Sequence, residues 1–453
     1  MQTHDLIVIG AGMAGLNAVD RAVGAGRKIA VVERSLIGGT CPTRGCIPTK
    51  ALVRSAEIAH QARRAGEFGI RVGSVDVDFP AVMARVRDII QRGSDGTRRW
   101  VESLPGVEIV EGDASFEGPD EVRVNGRTLS APRIVIATGA DPSVPQIPGL
   151  ADVPFWTSDD VLKANHLPKH LVIIGAGPIA LELGQALGRL GAAITIIEAM
   201  PRLLPMVEPE LADLLRAQLE AEGVEVIIGA KVDEVRRGPA VAITVNGESR
   251  VIEGDGLLVA TGRAPAIATL GLEHTAVRTE GRGLAVDEHL GTGANGIYAA
   301  GDVVGTPYGA FTSVARRMGI TAAANALGLE PHEADRDLGP TAIFTDPEVA
   351  MIGLTEAAAR EAGHDVSVAT GTFTGGKARA WGEEGGMVKV VVNRDTRRIL
   401  GTQILGYHAS DLIHPIAVAM KAGDGTVDPI IETKYVHPTF GEVVQAALKK
   451  AVT

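Results

Sequence analysis

The chain has two cysteines in 453 residues, Cys41 and Cys46, and both stand in one Gly- and Pro-punctuated stretch, GGTCPTRGCIPTKAL (38–52). Two thiols with four residues between them could hold a metal, stand as unrelated free thiols, or cycle between dithiol and disulfide. Structural zinc needs two more soft ligands nearby, and no other cysteine exists, so no metal is expected. Keeping one pair and excluding every other cysteine suits a redox dithiol, because exchange then has one path. The thiolate is the reactive form, and a thiol with a pKa of about 8.5 is mostly protonated at neutral pH. Pro48 favours a helix's first turn, which puts Cys46 at a helix N-terminus with Lys50 one turn on. Helix end and ammonium both favour thiolate, although Lys50 also reads as a plain solvated lysine.

The elements that must position this pair come from a repeat. DLIVIGAGMAGLNAV (5–19) and HLVIIGAGPIALELGQAL (170–187) each read as a buried strand, a glycine turn and a helix start, the opening of a doubly wound βαβ unit. The first turn carries Gly10, Gly12 and Gly15; the second carries Gly175 and Gly177, with Ala180 in the third place. The first glycine makes the turn, the second lets a pyrophosphate approach the backbone, and the third lets helix pack on strand. Glu33 and Glu198 each follow their first glycine by 23 residues, where a strand-end carboxylate can accept from an adenosine ribose. Two dinucleotides are therefore expected. Glu198 would repel a 2′-phosphate, and the nearest cation, Arg202, lies four residues on, so NAD is expected over NADP.

IVIATGA (134–140) and LVATGRAP (258–265) are short buried strands ending in Ala-Thr-Gly, one after each nucleotide unit. GIYAAGDVVG (296–305) delivers Asp302 to a strand's carboxyl end, where open α/β sheets bind ligands, unless it is merely a turn acid. From residue 339 the texture changes: MVKVVVNRDTRRILGTQILG (387–406) alternates like two antiparallel strands, and SDLIHPIAVAMKAG and GEVVQAALKKA read as helices. This α+β tail suits a two-fold dimer interface.

Composition excludes other classes. Hydrophobic residues at 45 % and charged residues at 22 % are those of a globular chain, and its length calls for two to four domains. A net charge of −11 and 3 % aromatics argue against nucleic acid or an anionic membrane surface as partner. The apolar N-terminus lacks a basic segment and a cleavage pattern, no run is long enough to span a bilayer, and two cysteines suit a reducing compartment, so a cytoplasmic location is expected.

Taken in order, GGTCPTRGCIPTK, ATGA, GAGPIALE, ATGRAP, YAAGDV and the terminal HPTFGE resemble the class I pyridine nucleotide-disulfide oxidoreductases, over essentially the whole chain. The resemblance implies two Rossmann-like dinucleotide-binding domains and a C-terminal α+β dimerisation domain: residues 1–148 and 271–338 for FAD, 149–270 for NAD, 339–453 for the homodimer interface. It implies that Cys46 faces the flavin and Cys41 exchanges with substrate, that Lys50 sits by the flavin paired with Glu182, and that Asp302 holds the ribityl chain. Gly39, Thr40, Thr138, Gly139, Gly262, Arg263 and Gly301 are further expected cofactor contacts. His437, oriented by Glu442, would be the acid/base and would reach over from the partner subunit. Thr439 and Glu442 also spell a capping box for the last helix.

Within the family, the chain lacks the C-terminal cysteine pair of the mercuric reductases, Glu198 disfavours the NADPH of the glutathione reductases, and the intact pair excludes the soluble transhydrogenases. The lipoamide dehydrogenases remain, so the expected substrate is a small dithiol or disulfide, or a lipoyl group on a carrier protein. Three departures touch the disulfide and its channel: Pro42 and Thr43 in place of leucine-asparagine, Ala266 in place of an asparagine, and Tyr435 in place of a second histidine. They leave room for another low-molecular-weight disulfide, or for a flavoprotein whose main job is docking.

Overall fold

A computed structural model describes residues 2–305, 311–335 and 339–453. The first glycine turn follows the strand Leu6–Ile9, which lies at the centre of a five-stranded parallel sheet ordered 297–299, 134–136, 6–9, 29–33, 107–111. These strands are almost continuous Val, Ile and Ala because both faces of the sheet are buried, in one core that also takes in Phe116, Val122 and Leu129 of the neighbouring β-layer. The chain leaves this sheet after Ile136, builds the second nucleotide unit, and returns to pair Ile297–Ala299 with Ile134–Ile136. The second sheet, ordered 225–227, 193–197, 170–174, 256–259, is parallel too. The third, ordered 341–343, 348–353, 399–406, 386–393, 366–373, is antiparallel, with the helix Gly441–Ala451 on it.

This mixed α/β architecture is the expected fold class. The hairpin expected about Asn393 to Asp395 joins Gly386–Asn393 to Ile399–Gly406. SDLIHPIAVAMKAG is split into Ala409–Leu412 and His414–Lys421, because Pro415 has no N–H to carry the ladder across the join. Two further layers have no counterpart in the motif reading: a mixed sheet ordered 2–3, 127–130, 121–124, 114–118, whose first pair is parallel and whose others are antiparallel, and an antiparallel one ordered 230–236, 240–245, 248–252. The segment end expected at residue 338 lies outside the described residues.

Two features aim the site. Strands Ala140–Pro142 and Arg263–Pro265 pair antiparallel, so the two Ala-Thr-Gly turns are bound to each other, with Thr138 Oγ1 donating to the Ala266 carbonyl at 2.8 Å. The helix Thr312–Ala326 packs on Met13–Val23 so closely that a Cβ on Gly319 would collide with the Ala14 carbonyl. That contact sets the first turn of the later helix over the first nucleotide turn. Among the described residues, no helix is long and apolar enough to cross a membrane.

Candidate active site

The two nucleotide turns repeat in detail. Gly10 has φ +104°, and a Cβ there would strike the Ala137 carbonyl; Gly175 has φ +103°, and its Cβ would come within 2.6 Å of the Ala260 carbonyl. Each turn therefore lies directly against the Ala-Thr-Gly turn of its own half, a fit open only to glycine. Glu33 Oε2 accepts the Ala11 N–H at 2.8 Å, and Glu198 Oε2 accepts the Ala176 N–H at 2.7 Å. Besides any role toward a ribose, these carboxylates pin the turns. Gly15 lies in the helix Met13–Val23, where a Cβ would collide with the Gly10 carbonyl, so its smallness serves packing.

The disulfide loop rests on the first turn. Gly39 has φ +68°, and a Cβ on it would collide with the Cα of Gly12, so the two loops stack backbone on backbone. Pro42 and Thr43 build this loop: the Pro42 ring packs at Gly38, and Thr43 Oγ1 donates to the Gly39 carbonyl at 2.7 Å. Cys41 sits in the short helix Thr40–Thr43 and Cys46 is the first residue of Cys46–Arg64. The hydrogen bond from Cys41 lowers the Cys46 pKa to about 6, against burial and helped by Thr312 and the Lys50 charge. Its counterpart is pushed well up, by the same bond and then by burial. The two thiols are thus electrostatically distinct, with the thiolate favoured at Cys46 and the thiol at Cys41.

Lys50 is no free surface lysine. Its Nζ lies 2.7 Å from Oε2 of Glu182, which is 5 % exposed on the helix Pro178–Leu190, and 4.3 Å from the centre of the Phe344 ring. Asp302 stands three residues past the strand Ile297–Ala299, and burial pushes its carboxyl up against the opposing charge of Arg263.

One cleft of about 310 Å³ gathers these groups. Gly10, Gly12, Glu33, Gly39 and Thr40 line one part of it, Thr138, Gly139, Arg263, Gly301 and Asp302 another, and Cys41, Cys46, Lys50 and Glu182 complete it. Gly262 is not in its wall, and Gly175, Gly177 and Glu198 form the separate turn of the second unit. Three guanidinium groups, Arg34, Arg44 and Arg263, line it beside the helix start at Met13, which suits an anionic dinucleotide. The residues present therefore fit FAD; Glu33 would hold its adenosine, and Lys50 and Cys46 would face its redox ring.

His437 and Glu442 are not brought to this cleft by their own chain. The His437 side chain is 79 % exposed, with Nδ1 3.0 Å from Glu442 Oε1. The expected capping box is half made: Glu442 Oε2 accepts the Thr439 N–H at 2.7 Å, but Thr439 Oγ1 is buried without a partner, because the helix starts at Gly441, with Phe440 and not Thr439 at its N-cap.

Two groups escaped the sequence reading. Thr312 Oγ1 lies 3.6 Å from Cys46 Sγ although 266 residues away in sequence, and Phe344 contacts both members of the Lys50–Glu182 pair. Neither sits in a motif with a spacing rule. An alternating ion chain also ties the disulfide loop to the joint between the halves. Arg34 and Arg44 both approach Asp141, at 2.8 and 3.9 Å, and Arg44 and Arg263 both approach Asp159, at 3.4 and 3.9 Å.

The chain is similar to known proteins over nearly its whole length. The pyridine nucleotide-disulphide oxidoreductase family matches residues 4–327, and the dimerisation domain of the same family matches 339–448. A dihydrolipoyl dehydrogenase of Haloferax volcanii is 37 % identical over 467 residues, covering 99 % of this chain and 96 % of that protein. A mercuric reductase of Staphylococcus aureus is 34 % identical over 451 residues, covering 98 % of this chain and 82 % of that protein. The Cu(II) complex of the HOCl-induced flavoprotein disulfide reductase RclA from Escherichia coli is similar with a TM-score of 0.86 at 28 % identity, covering 99 % of this chain and 100 % of that one. With a cysteine pair, a dinucleotide cleft and a dimerisation domain in one chain, this protein belongs to the pyridine nucleotide-disulphide oxidoreductases, FAD-dependent flavoproteins that work with NAD(P)H.

Proposed function

We propose that the protein moves two electrons between NAD(H) and a dithiol or disulfide through FAD and the Cys41–Cys46 pair, with dihydrolipoyl groups as the substrate class. The observation that carries this reading is the unequal thiol pair, Cys46 lowered and Cys41 raised, in the same cleft as the Lys50–Glu182 pair. Bound FAD supplies the two-electron exchange between nicotinamide on one side and the cysteine pair on the other.

The chain's own residues then divide the work. Toward a disulfide substrate, Cys41 must first lose its proton, and His437 of the partner subunit takes it on Nε2 while Glu442 holds Nδ1. The Cys41 sulfur attacks one substrate sulfur, a mixed disulfide forms, and the released thiolate takes the proton back from the histidine. Cys46 thiolate then attacks the Cys41 sulfur, the Cys41–Cys46 disulfide closes, and the second substrate thiolate leaves to be protonated by solvent. With dihydrolipoamide the same steps run in reverse. Lys50 keeps Cys46 anionic, and Glu182 keeps Lys50 in place.

Support for the lipoyl reading comes from the Haloferax relative, matched over nearly its full length, and from the absence of any cysteine beyond the pair. A second reading, reduction of a soft or redox-active metal ion or of another small disulfide, is favoured by the mercuric reductase relative, the Cu(II)-bound neighbour, and Ala266 in the cleft wall. The test is a panel on purified holoenzyme: NADH or NADPH with lipoamide, glutathione disulfide, coenzyme A disulfide, Hg(II) and Cu(II), then NAD⁺ with dihydrolipoamide. Turnover of dihydrolipoamide at least tenfold above every other substrate in kcat/KM supports the first reading; a metal ion or another disulfide ahead of it overturns the lipoyl assignment.

A further inference from the structure

We propose that Phe344 is a positioning residue for the Lys50–Glu182 pair, and that the buried stripe Glu182, Gln185 and Arg189 fixes the register in which it acts. The inference deepens the proposed function and rests on the reading of Cys46 as the flavin-facing thiolate.

A lysine ammonium on a flexible four-carbon stem must be held from more than one side if its charge is to act at one place. Lys50 is held from two. The Glu182 carboxylate takes it at 2.7 Å, and the Phe344 ring lies under it at 4.3 Å, where the electron-rich face attracts a cation. Phe344 acts on the carboxylate as well, its backbone N–H donating to Glu182 Oε1 at 2.9 Å. One residue thus contacts both members of the pair by different means, and neither contact reaches Cys46 directly.

Phe344 belongs to the C-terminal part of the chain, following the strand Thr341–Ile343, so something must set its position along the helix Pro178–Leu190. Residues 182, 185 and 189 share one face of that helix, and all three are buried polar groups. Gln185 exchanges two bonds with the Asp346 backbone, Nε2 donating to its carbonyl at 2.7 Å and Oε1 accepting its N–H at 2.8 Å. Arg189 meets Asp346 Oδ2 at 2.7 Å, and Glu222 through two bonds of 2.7 Å. Buried polar groups satisfied this fully admit one register, because sliding the segment 344–346 by a residue would strand several of them. The same helix opens the second nucleotide unit, so one stripe locks the C-terminal part, the nucleotide unit and the thiolate's counter-charge together.

Facing Cys46 are Cys41 from the preceding short helix, Lys50 from its own helix, Thr312 from the helix Thr312–Ala326, and Glu182 behind the lysine. Only the lysine among these carries a cation, so the readout is proton affinity at Cys46. In the two-electron-reduced holoenzyme, the long-wavelength charge-transfer absorbance is titrated against pH for wild type, F344L, F344Y and Q185L. Expected is an apparent pKa raised by about 0.5 unit in F344L, roughly threefold in proton affinity, a value matching wild type in F344Y, and a smaller rise in Q185L, which keeps the ring but frees the register. A wild-type pKa in both F344L and Q185L overturns the inference, whatever their melting temperatures, and means Phe344 only packs. If F344L loses FAD or fails to fold, Q185L decides alone. A wild type with no such band removes the Cys46 reading and this inference with it, whereas a normal wild-type band with unmoved variants removes the inference alone.

Discussion

His437 turns Nδ1 to Glu442 Oε1 at 3.0 Å and leaves 79 % of its side chain in solvent, outside the cleft that holds Cys41 and Cys46. Our proposal has this imidazole serve a neighbour across a two-fold axis. Homodimers of Cys46→Ser and of His437→Ala are each expected to be nearly inactive in disulfide turnover. A hybrid dimer of the two, isolated by two different tags and verified as FAD-loaded, contains one intact site and should recover about half the wild-type rate per dimer, since one of two sites works. A hybrid as inactive as its parents would place the histidine in its own subunit's service.

The unequal thiols predict a pH profile. With Cys46 lowered to about 6 and Cys41 raised, the reduced enzyme at neutral pH carries its charge on Cys46. The charge-transfer absorbance should be full well above pH 6 and fade as pH falls through about 6, because protonation of Cys46 removes the donor. It should persist in Cys41→Ser, whose hydroxyl can still donate to Cys46, and be absent in Cys46→Ser. A band that survives in the second variant and not in the first would reverse the assignment.

Nucleotide choice follows from Glu198. Its two oxygens accept the Ala176 and Met200 N–H groups, each at 2.7 Å, while Arg202 is turned to the Pro205 carbonyl at 2.8 Å. A fixed carboxylate with its nearest arginine engaged elsewhere should disfavour a 2′-phosphate. The expectation is NADH ahead of NADPH by at least tenfold in kcat/KM, about 1.4 kcal/mol, with the gap narrowing in Glu198→Ala. Equal use of the two nucleotides would contradict it.

The stacking of Gly39 on Gly12 predicts that Gly39→Ala is costly for the cofactor. A Cβ there meets the Gly12 Cα and would also have to adopt φ +68°, so the disulfide loop must lift from the nucleotide turn. Purified Gly39→Ala should contain little FAD by absorbance at 450 nm and should gain little thermal stability from added FAD. A fully loaded variant would show that the loops tolerate separation.

Lys389 offers a stability test away from the chemistry. It is 5 % exposed, and its Nζ lies 3.0 Å from Glu208 Oε2, Glu210 Oε1 and Glu356 Oε2. Removing the cation leaves Glu208, itself buried, beside two other carboxylates, so Lys389→Met should lose about 3–5 kcal/mol in urea unfolding of the holoenzyme. A loss under about 1 kcal/mol would mean that water replaces the ammonium.

Much of this was written in local spacing. The strand–glycine–helix units, the acids 23 residues on, the cysteine pair at a helix start and the hairpin at 387–406 follow from period, propensity and turn chemistry, which act within a few tens of residues. Those signals determined the fold class, the two nucleotide turns and the choice of a redox dithiol over a metal site. What they lacked was any rule linking residues far apart. Thr312 reaches Cys46 across 266 residues because Gly319 lets one helix sit on another, and Phe344 reaches Glu182 across 162 because a buried polar stripe sets the register between two parts of the chain. The half-made cap at Thr439 was likewise decided by where the last helix begins in the packed domain. Sequence by itself determined which chemistry the chain can do; only the tertiary structure decided which groups tune it, because close packing, unlike periodicity, leaves no mark in the order of residues.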